Sequence, residues 1–304
     1  MQQLFRVRGI VGSITASALV ALSFPALAAM MAPPSISVVS PAAGATVSGA
    51  NIPVTVGVHN FALECANMGK TNAPMGEGHI HLMVDGMDLP HLIAPFCSTK
   101  MTIPGQGLAA GKHMLTVVLA TDAHAMASMP VSVPFTYEPQ NVVQLPTPIS
   151  GAPAPSVSVL SPQNGAAVSP KFDLVVAVKN FRLSCDLEGK KDVAGYGHIH
   201  VFVEQNGETS AAPGTPMLAM MQTPDGMKMG QMLAHETGMT TDQLKPMMQM
   251  AMPGMVGMPC TENIPVDLSS WNAGPAKIIV QLANDDHMPT MGVVPATLSV
   301  EVKH

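Results

Sequence analysis

The sequence predicts an all-β protein: two tandem Ig-like antiparallel β-sandwiches, the second carrying a Met-rich, partly helical insertion. Three observations predict it. First, the chain repeats itself: "SISVVSPAAGATVSGANIPVTVGVHNFALEC" from Ser35 is matched by "SVSVLSPQNGAAVSPKFDLVVAVKNFRLSC" from Ser156, and self-similarity of this kind marks a duplicated unit. Second, apolar residues alternate, as in Val54, Val56, Val58 and in Leu174, Val176, Val178, the period of a strand with one buried face. Third, these short runs are separated by Pro, Gly and Asn, and each copy has about 100 residues without the insertion, the size of an Ig-like sandwich.

The elements follow in chain order. Residues 1–28 read as a secretory signal: Arg6 and Arg8, an apolar run to Phe24, then Ala26-Leu27-Ala28 as a cleavage site. The first sandwich is expected over 33–138, a Pro-rich linker over 139–155, and the second sandwich over 156–304. No later stretch reaches the roughly 20 apolar residues that span a bilayer. Removing Arg6 and Arg8 with the leader takes the net charge from −6 to −8. An acidic surface with scattered lysines excludes nucleic acid as a partner, so the expectation is a periplasmic or secreted protein without stable membrane insertion.

Each copy holds two cysteines at matching places. In an oxidising compartment they predict the disulfides Cys65–Cys97 and Cys185–Cys260. Free or metal-bound thiols are the competing reading. The cysteines are 32 positions apart in the first copy and 75 in the second, which predicts an insertion at about 207–258. Residues 217–258 contain 13 of the 26 methionines. Thioethers are soft ligands suited to Cu(I), and the spacing nominates Met227, Met229, Met232, Met248, Met250, Met252, Met255 and Met258. An adaptable apolar surface is the competing reading for the same residues.

The histidines recur with the repeat. His79 and His81, and His198 and His200, form H-x-H on a strand, which places each pair on one face. Ile80, Leu82 and Val84, or Ile199, Val201 and Val203, make the better core face, so the imidazoles are expected to point to solvent or a shallow groove. A third histidine recurs as His124 and His287, with Met126 and Met288 close by. Three repeated imidazoles suit copper or zinc. Asp122 and Asp285, two positions before the third histidine, are expected to orient an imidazole. His91 and His113 occur in the first copy alone. The bland alternative is a set of polar residues on a solvated sheet face.

The G-H-x-H motif at Gly78–Asp85 together with A-G-K-H-x-L-x-x-x-L-x-x-x-x-H at Ala110–His124 resembles an uncharacterised bacterial family of exported Ig-like domains. The second copy matches through Gly197–Val203 and Leu282–His287, with Glu204 in place of the aspartate. The resemblance implies the fold and no activity. A more distant likeness in architecture and Met/His usage is to periplasmic copper-carrying β-sandwiches.

These readings lead to an exported periplasmic metal-binding protein that binds, transfers or sequesters copper, as Cu(I) or Cu(II), with zinc as the other candidate. Its partners would be the metal ion and a periplasmic protein. The alternative is a non-metal tandem Ig-like module that docks a partner or surface. No G-x-S-x-G, cysteine nucleophile or carboxylate pair appears, so catalysis is not expected, and a copper-dependent redox enzyme is the remaining enzymatic reading.

Overall fold

The protein is described from a computed structural model over residues 32–74, 76–140, 145–149, 153–205 and 252–304. The leader, the helical character expected of the insertion, and Met227, Met229, Met232, Met248 and Met250 lie outside these residues. Pro33–His304 forms one compact unit.

The first copy contributes β1 (Ser35–Ser40), β2 (Ala45–Ser48), β3 (Asn51–His59), β4 (Ala62–Leu63), β5 (Glu77–Val84), β6 (Leu92–Phe96), β7 (Lys100–Pro104), β8 (Gly111–Thr121) and β9 (Val131–Glu138). The second contributes β10 (Ser156–Ser161), β11 (Ala166–Val168), β12 (Lys171–Lys179), β13 (Arg182–Leu183), β14 (Tyr196–Glu204), β15 (Met255–Gly257), β16 (Asn263–Asp267), β17 (Gly274–Ala283) and β18 (Ala296–Val302). The copies match strand for strand. Each pairs a three-stranded sheet, β1-β3-β7 or β10-β12-β16, with a six-stranded one. The larger sheets run β2-β9-β8-β5-β4 with β6 on β5, and β11-β18-β17-β14-β13 with β15 on β14. Most pairs are antiparallel as expected, but the short β2–β9 and β4–β5 contacts run parallel, as do β11–β18 and β13–β14. Among the described residues, one 3₁₀ turn at Leu89–His91 is the sole helical element.

Both disulfides form, with Cα–Cα distances of 5.9 Å for Cys65–Cys97 and 5.6 Å for Cys185–Cys260. They fit an oxidising, exported environment. No helix of the described residues is long and apolar enough to cross a membrane.

The inner core follows the alternation. Ile80, Leu82 and Val84 of β5 meet Leu115, Val117 and Leu119 of β8 beneath Ile52, Val54 and Val56 of β3. The second copy repeats this with Ile199, Val201 and Val203 against Ile278, Val280 and Leu282. Each fully buried apolar side chain contributes roughly 1.5–3 kcal/mol.

The outer face departs from expectation. β5 and β14 are buried almost throughout, on both faces. Met83, Leu89, Leu92, Val118 and Met126 of the first copy share one apolar cluster with Phe202, Met252, Met255 and Ile279 of the second. The outer faces of the two large sheets therefore cover each other. Polar contacts tie them further: Gly254 N–H donates to Gly69 O at 2.6 Å, Lys70 Nζ to Ser270 O at 2.6 Å, and Lys190 Nζ to Pro104 O.

This packing also redraws the insertion. β15 pairs β14 as β6 pairs β5, with Met255 opposite Phe202 and Leu92 opposite Met83. Met255–Gly257 is thus a strand that both copies possess, and the added segment ends before it rather than at 258.

Candidate metal centres

Each centre is built on a strand and a turn. Glycine opens the H-x-H strand because the neighbouring strand lies against its Cα. A Cβ at Gly78 would fall 2.1 Å from Ala120 O, and one at Gly197 2.0 Å from Ala283 O. Beyond it the pleat sends His79 and His81, or His198 and His200, to the outer face. Their cross-strand partners are Ala120 and Val118, or Ala283 and Gln281.

The third histidine comes from the turn that leaves the next strand. His124 N–H donates to Thr121 O at 2.8 Å, and His287 N–H to Asn284 O at 3.0 Å. Both residues are left-handed, at φ 62° and 63°. That conformation is uncommon without glycine and costs of order 1–3 kcal/mol. The chain then folds back through isolated bridges, Ala120 to Met126 and Ala283 to Pro289, so the imidazole is aimed at the H-x-H pair.

In the first centre three ring nitrogens converge. His79 Nε2 lies 3.0 Å from His81 Nε2 and 3.0 Å from His124 Nδ1, and His81 Nε2 lies 3.3 Å from His124 Nδ1. In the second, His198 Nε2 and His200 Nε2 are 2.9 Å apart, and the His287 ring centroid lies 4.6 Å from that of His198. Within each centre the candidate ligand atoms are all inside 4.8 Å of one another. All six histidines are at most 2% exposed. The expected solvent-facing placement is thus corrected: the imidazoles do point away from each sandwich's own core, but into the layer where the two sheets meet.

The protons can be placed. His124 Nε2 donates to Met255 O at 3.1 Å, and His287 Nε2 donates to Leu92 O. A carbonyl only accepts, so both Nε2 atoms carry hydrogen and both Nδ1 atoms present bare lone pairs. Each carbonyl belongs to the other sandwich, and Leu92 and Met255 occupy equivalent positions. Such a second hydrogen bond to a backbone carbonyl is the usual orienting device of a ligating imidazole.

The electrostatics agree. Burial, then neighbouring histidines, hold His79, His81, His198 and His200 well below the ordinary histidine range. Burial brings His124 and His287 down to about 4. All six are neutral at pH 7, the form that binds metal. A proton shared among the three converging nitrogens leaves at least one of the His79 and His81 rings with its N–H on Nδ1, and neither Nδ1 has a partner among the described residues. A cation at the convergence would take up all three lone pairs.

Other nominated residues fall elsewhere. Met126, Met252 and Met255 are buried in the shared apolar cluster, with Met258 packed against it; what Met255 gives the first centre is its carbonyl. Met288 is exposed. Asp122 and Asp285 do not hydrogen-bond a histidine: Asp122 has no side-chain partner among the described residues, and Asp285 Oδ2 accepts from Val193 N–H at 3.1 Å. Burial pushes both carboxyls up to about 6. His113 is held by Asp85 at 2.7 Å and by Ala109 O at 2.8 Å, and His91 pairs with Asp88. Cys185, Cys260 and Glu188 also cluster, but the disulfide leaves no thiolate there.

A further repeated motif lies in the loops that brace the histidine turns. C-x-x-x-G-K occurs twice, at Cys65–Lys70 and Cys185–Lys190. Gly69 N–H donates to Asp122 O at 2.7 Å and Gly189 N–H to Asp285 O at 2.8 Å, so each loop braces a histidine turn. Both glycines are left-handed and press on the opposite sandwich. A Cβ at Gly189 would meet Leu92 O at 2.4 Å, and one at Gly69 would meet Met255 O at 2.9 Å. The residue before each glycine differs, Met68 against Glu188, and Glu188 Oε1 lies 3.7 Å from His198 Nδ1.

Among solved structures the chain is similar to fibronectin(III)-like modules of Clostridium thermocellum CbhA, at 11% identity over 88% of this chain and 94% of that one, TM-score 0.23. It is also similar to the four N-terminal Ig domains of Dscam1, at 7% identity over 90% of this chain and 46% of that one, TM-score 0.21. Superpositions this loose carry no argument of their own; the class, a tandem Ig- or fibronectin-like β-sandwich protein, rests on the strand order. No family model matches the chain, and no curated protein matches it. The family resemblance read from the G-H-x-H and A-G-K-H motifs and the likeness to copper carriers therefore gain nothing from these comparisons.

Proposed function

We propose that this chain is an exported, periplasmic metal-binding protein without catalytic activity of its own. Its two buried three-histidine centres would take copper, with zinc as the other candidate, for transfer or sequestration. The observation that carries this reading is the first centre: three neutral nitrogens 3.0–3.3 Å apart, one with its tautomer fixed by a backbone carbonyl. His79, His81 and His124 would hold one ion between them as three imidazole ligands, at the usual metal–nitrogen distance of about 2.0–2.1 Å.

At the first centre Cu(I) would be favoured over harder ions, because the three imidazoles stand beside an apolar cluster and no carboxylate joins the ligand group. The Met-rich segment would add thioether sites for the same ion. Titration of the mature chain with Cu(I), Cu(II) and Zn²⁺ against chelators tests this. Two tightly held equivalents of Zn²⁺, or a drop of two in the Cu(I) stoichiometry, lost together in the H79A/H81A/H198A/H200A variant, support it. No competitive binding of any of the three would move the reading to a docking module, for which the exposed Met291 and Val294, 92% and 82% accessible, are the best-placed contacts.

A further inference from the structure

We infer that the two centres are coupled: metal in one centre strengthens binding in the other, and metal clamps the two sandwiches together. This rests on the metal-binding reading above. The third ligand of each centre is oriented across the layer between the sheets. His124 depends on the carbonyl of Met255 on β15, and His287 on that of Leu92 on β6. The carbonyl-bearing strands are themselves hydrogen-bonded to the H-x-H strands of their own copies. A pull on His124 therefore passes through Met255 to β14, which carries His198 and His200. The reverse path runs from His287 through Leu92 to β5, which carries His79 and His81.

The layer leaves little slack for the sheets to shift independently. Gly69 and Gly189 already touch the opposite backbone, and Gly254 N–H closes a 2.6 Å bond to Gly69 O. If the sheets part, both third ligands lose their tautomer lock at once. The same closure buries all six imidazoles, so an ion enters or leaves only as the layer opens. A centre that holds its ion keeps the layer shut, and the second centre is then preorganised for its own ion. Coupling of this kind is reciprocal, and its usual size is about 5- to 150-fold in affinity.

The test uses the full mature chain and Zn²⁺ alone as probe. Affinity at the first centre is measured in wild type with the second centre filled, and in H198A/H200A, where it cannot fill. The reciprocal pair uses H79A/H81A. The expected result is at least 5-fold weaker binding at each remaining centre. Should the alanine variants fail to fold, H198Q/H200Q and H79Q/H81Q keep polar side chains of similar bulk.

Hydrogen exchange gives an independent readout. Zinc bound only to the first centre should slow exchange of the Gly254 and Met255 amides in the second sandwich. Affinities within twofold, or unchanged exchange at those amides, would overturn the coupling while leaving the metal sites standing. If wild type binds copper and not zinc, the same variants are read with Cu(I) against the same thresholds; if it binds none of Zn²⁺, Cu(I) and Cu(II), the metal-binding reading falls and the coupling falls with it.

Discussion

At the position where the second copy places Glu188 beside His198, the first copy has Met68; opposite His200 on the adjoining strand stands Gln281, and opposite His81 stands Val118. The two centres thus share one backbone plan and differ in polarity. Glu188 is buried, and burial with the nearby Asp285 charge holds its carboxyl well above the ordinary range. A bound dication would favour the carboxylate form and gain a compensating charge at the edge of its ligand set. The first centre has the apolar Met68 at that place. A duplicated ligand set can be tuned from outside it: on the proposed metal-binding reading, the first centre would suit a soft, singly charged ion and the second a divalent one.

The largest expected effect comes from removing one ligand set. H79A/H81A should lose one metal equivalent and keep the other, and H198A/H200A should do the converse. Loss of both from either variant beyond the coupled weakening, read by equilibrium dialysis, would mean that the six histidines form a single centre.

Next in size is the polarity swap. E188Q should lower the second centre's preference for Zn²⁺ over Cu(I) by roughly 10- to 100-fold, the usual reach of groups just outside the ligands. M68E should move the first centre the opposite way. Competition titrations in the single-centre variants read both. Equal ratios before and after would remove the basis of the comparison.

The metal-free protein should lose stability in acid. For each histidine the folded form binds fewer protons than the unfolded one. At His124 and His287 the contribution is complete above about 6.5 and is lost as pH falls toward about 4. For His124 and His287 this is on the order of 3 kcal/mol each. Asp122 and Asp285, raised to about 6, act in the opposite sense across the same window and offset part of the loss. Thermal melts of the apo protein at pH 7 and pH 5 should show a lower midpoint at pH 5. Metal-loaded protein should fall more steeply, because protonation competes with the ion.

The smallest effect on the fold is expected from deleting residues 207–250, which makes the second copy resemble the first. The melt should stay within a few degrees and both histidine centres should keep zinc, while Cu(I) stoichiometry falls. A deletion carried through 258 would instead remove Met252, Met255 and β15, and with them the His124 contact. That variant should be severely destabilised.

Much of this plan was legible from the residues. The duplication gave the paired sandwiches, the alternation gave the inner cores, and matching places gave both disulfides and all three histidines of each centre. What the sequence hid is tertiary. Met83, Val118, Phe202 and Ile279 interleave with the histidines on an outer face, and nothing local says that two such faces meet. A backbone carbonyl leaves no signature, so the role of Leu92 and Met255 was unreadable. The Met-rich tract also masked β15, because thioether spacing and strand alternation overlap at Met252, Met255 and Met258. The C-x-x-x-G-K repeat was readable: a shared glycine beside a lysine, Lys70 or Lys190, marks a loop that must approach something closely.

X-ray absorption on the protein loaded with two equivalents of Zn²⁺ reads the ligands themselves. The expected nearest shell is three imidazole nitrogens at about 2.0–2.1 Å per ion, with one further light ligand. A shell dominated by sulfur at about 2.3 Å, or by oxygen without imidazole scattering, would show that the histidine triads are not the metal centres.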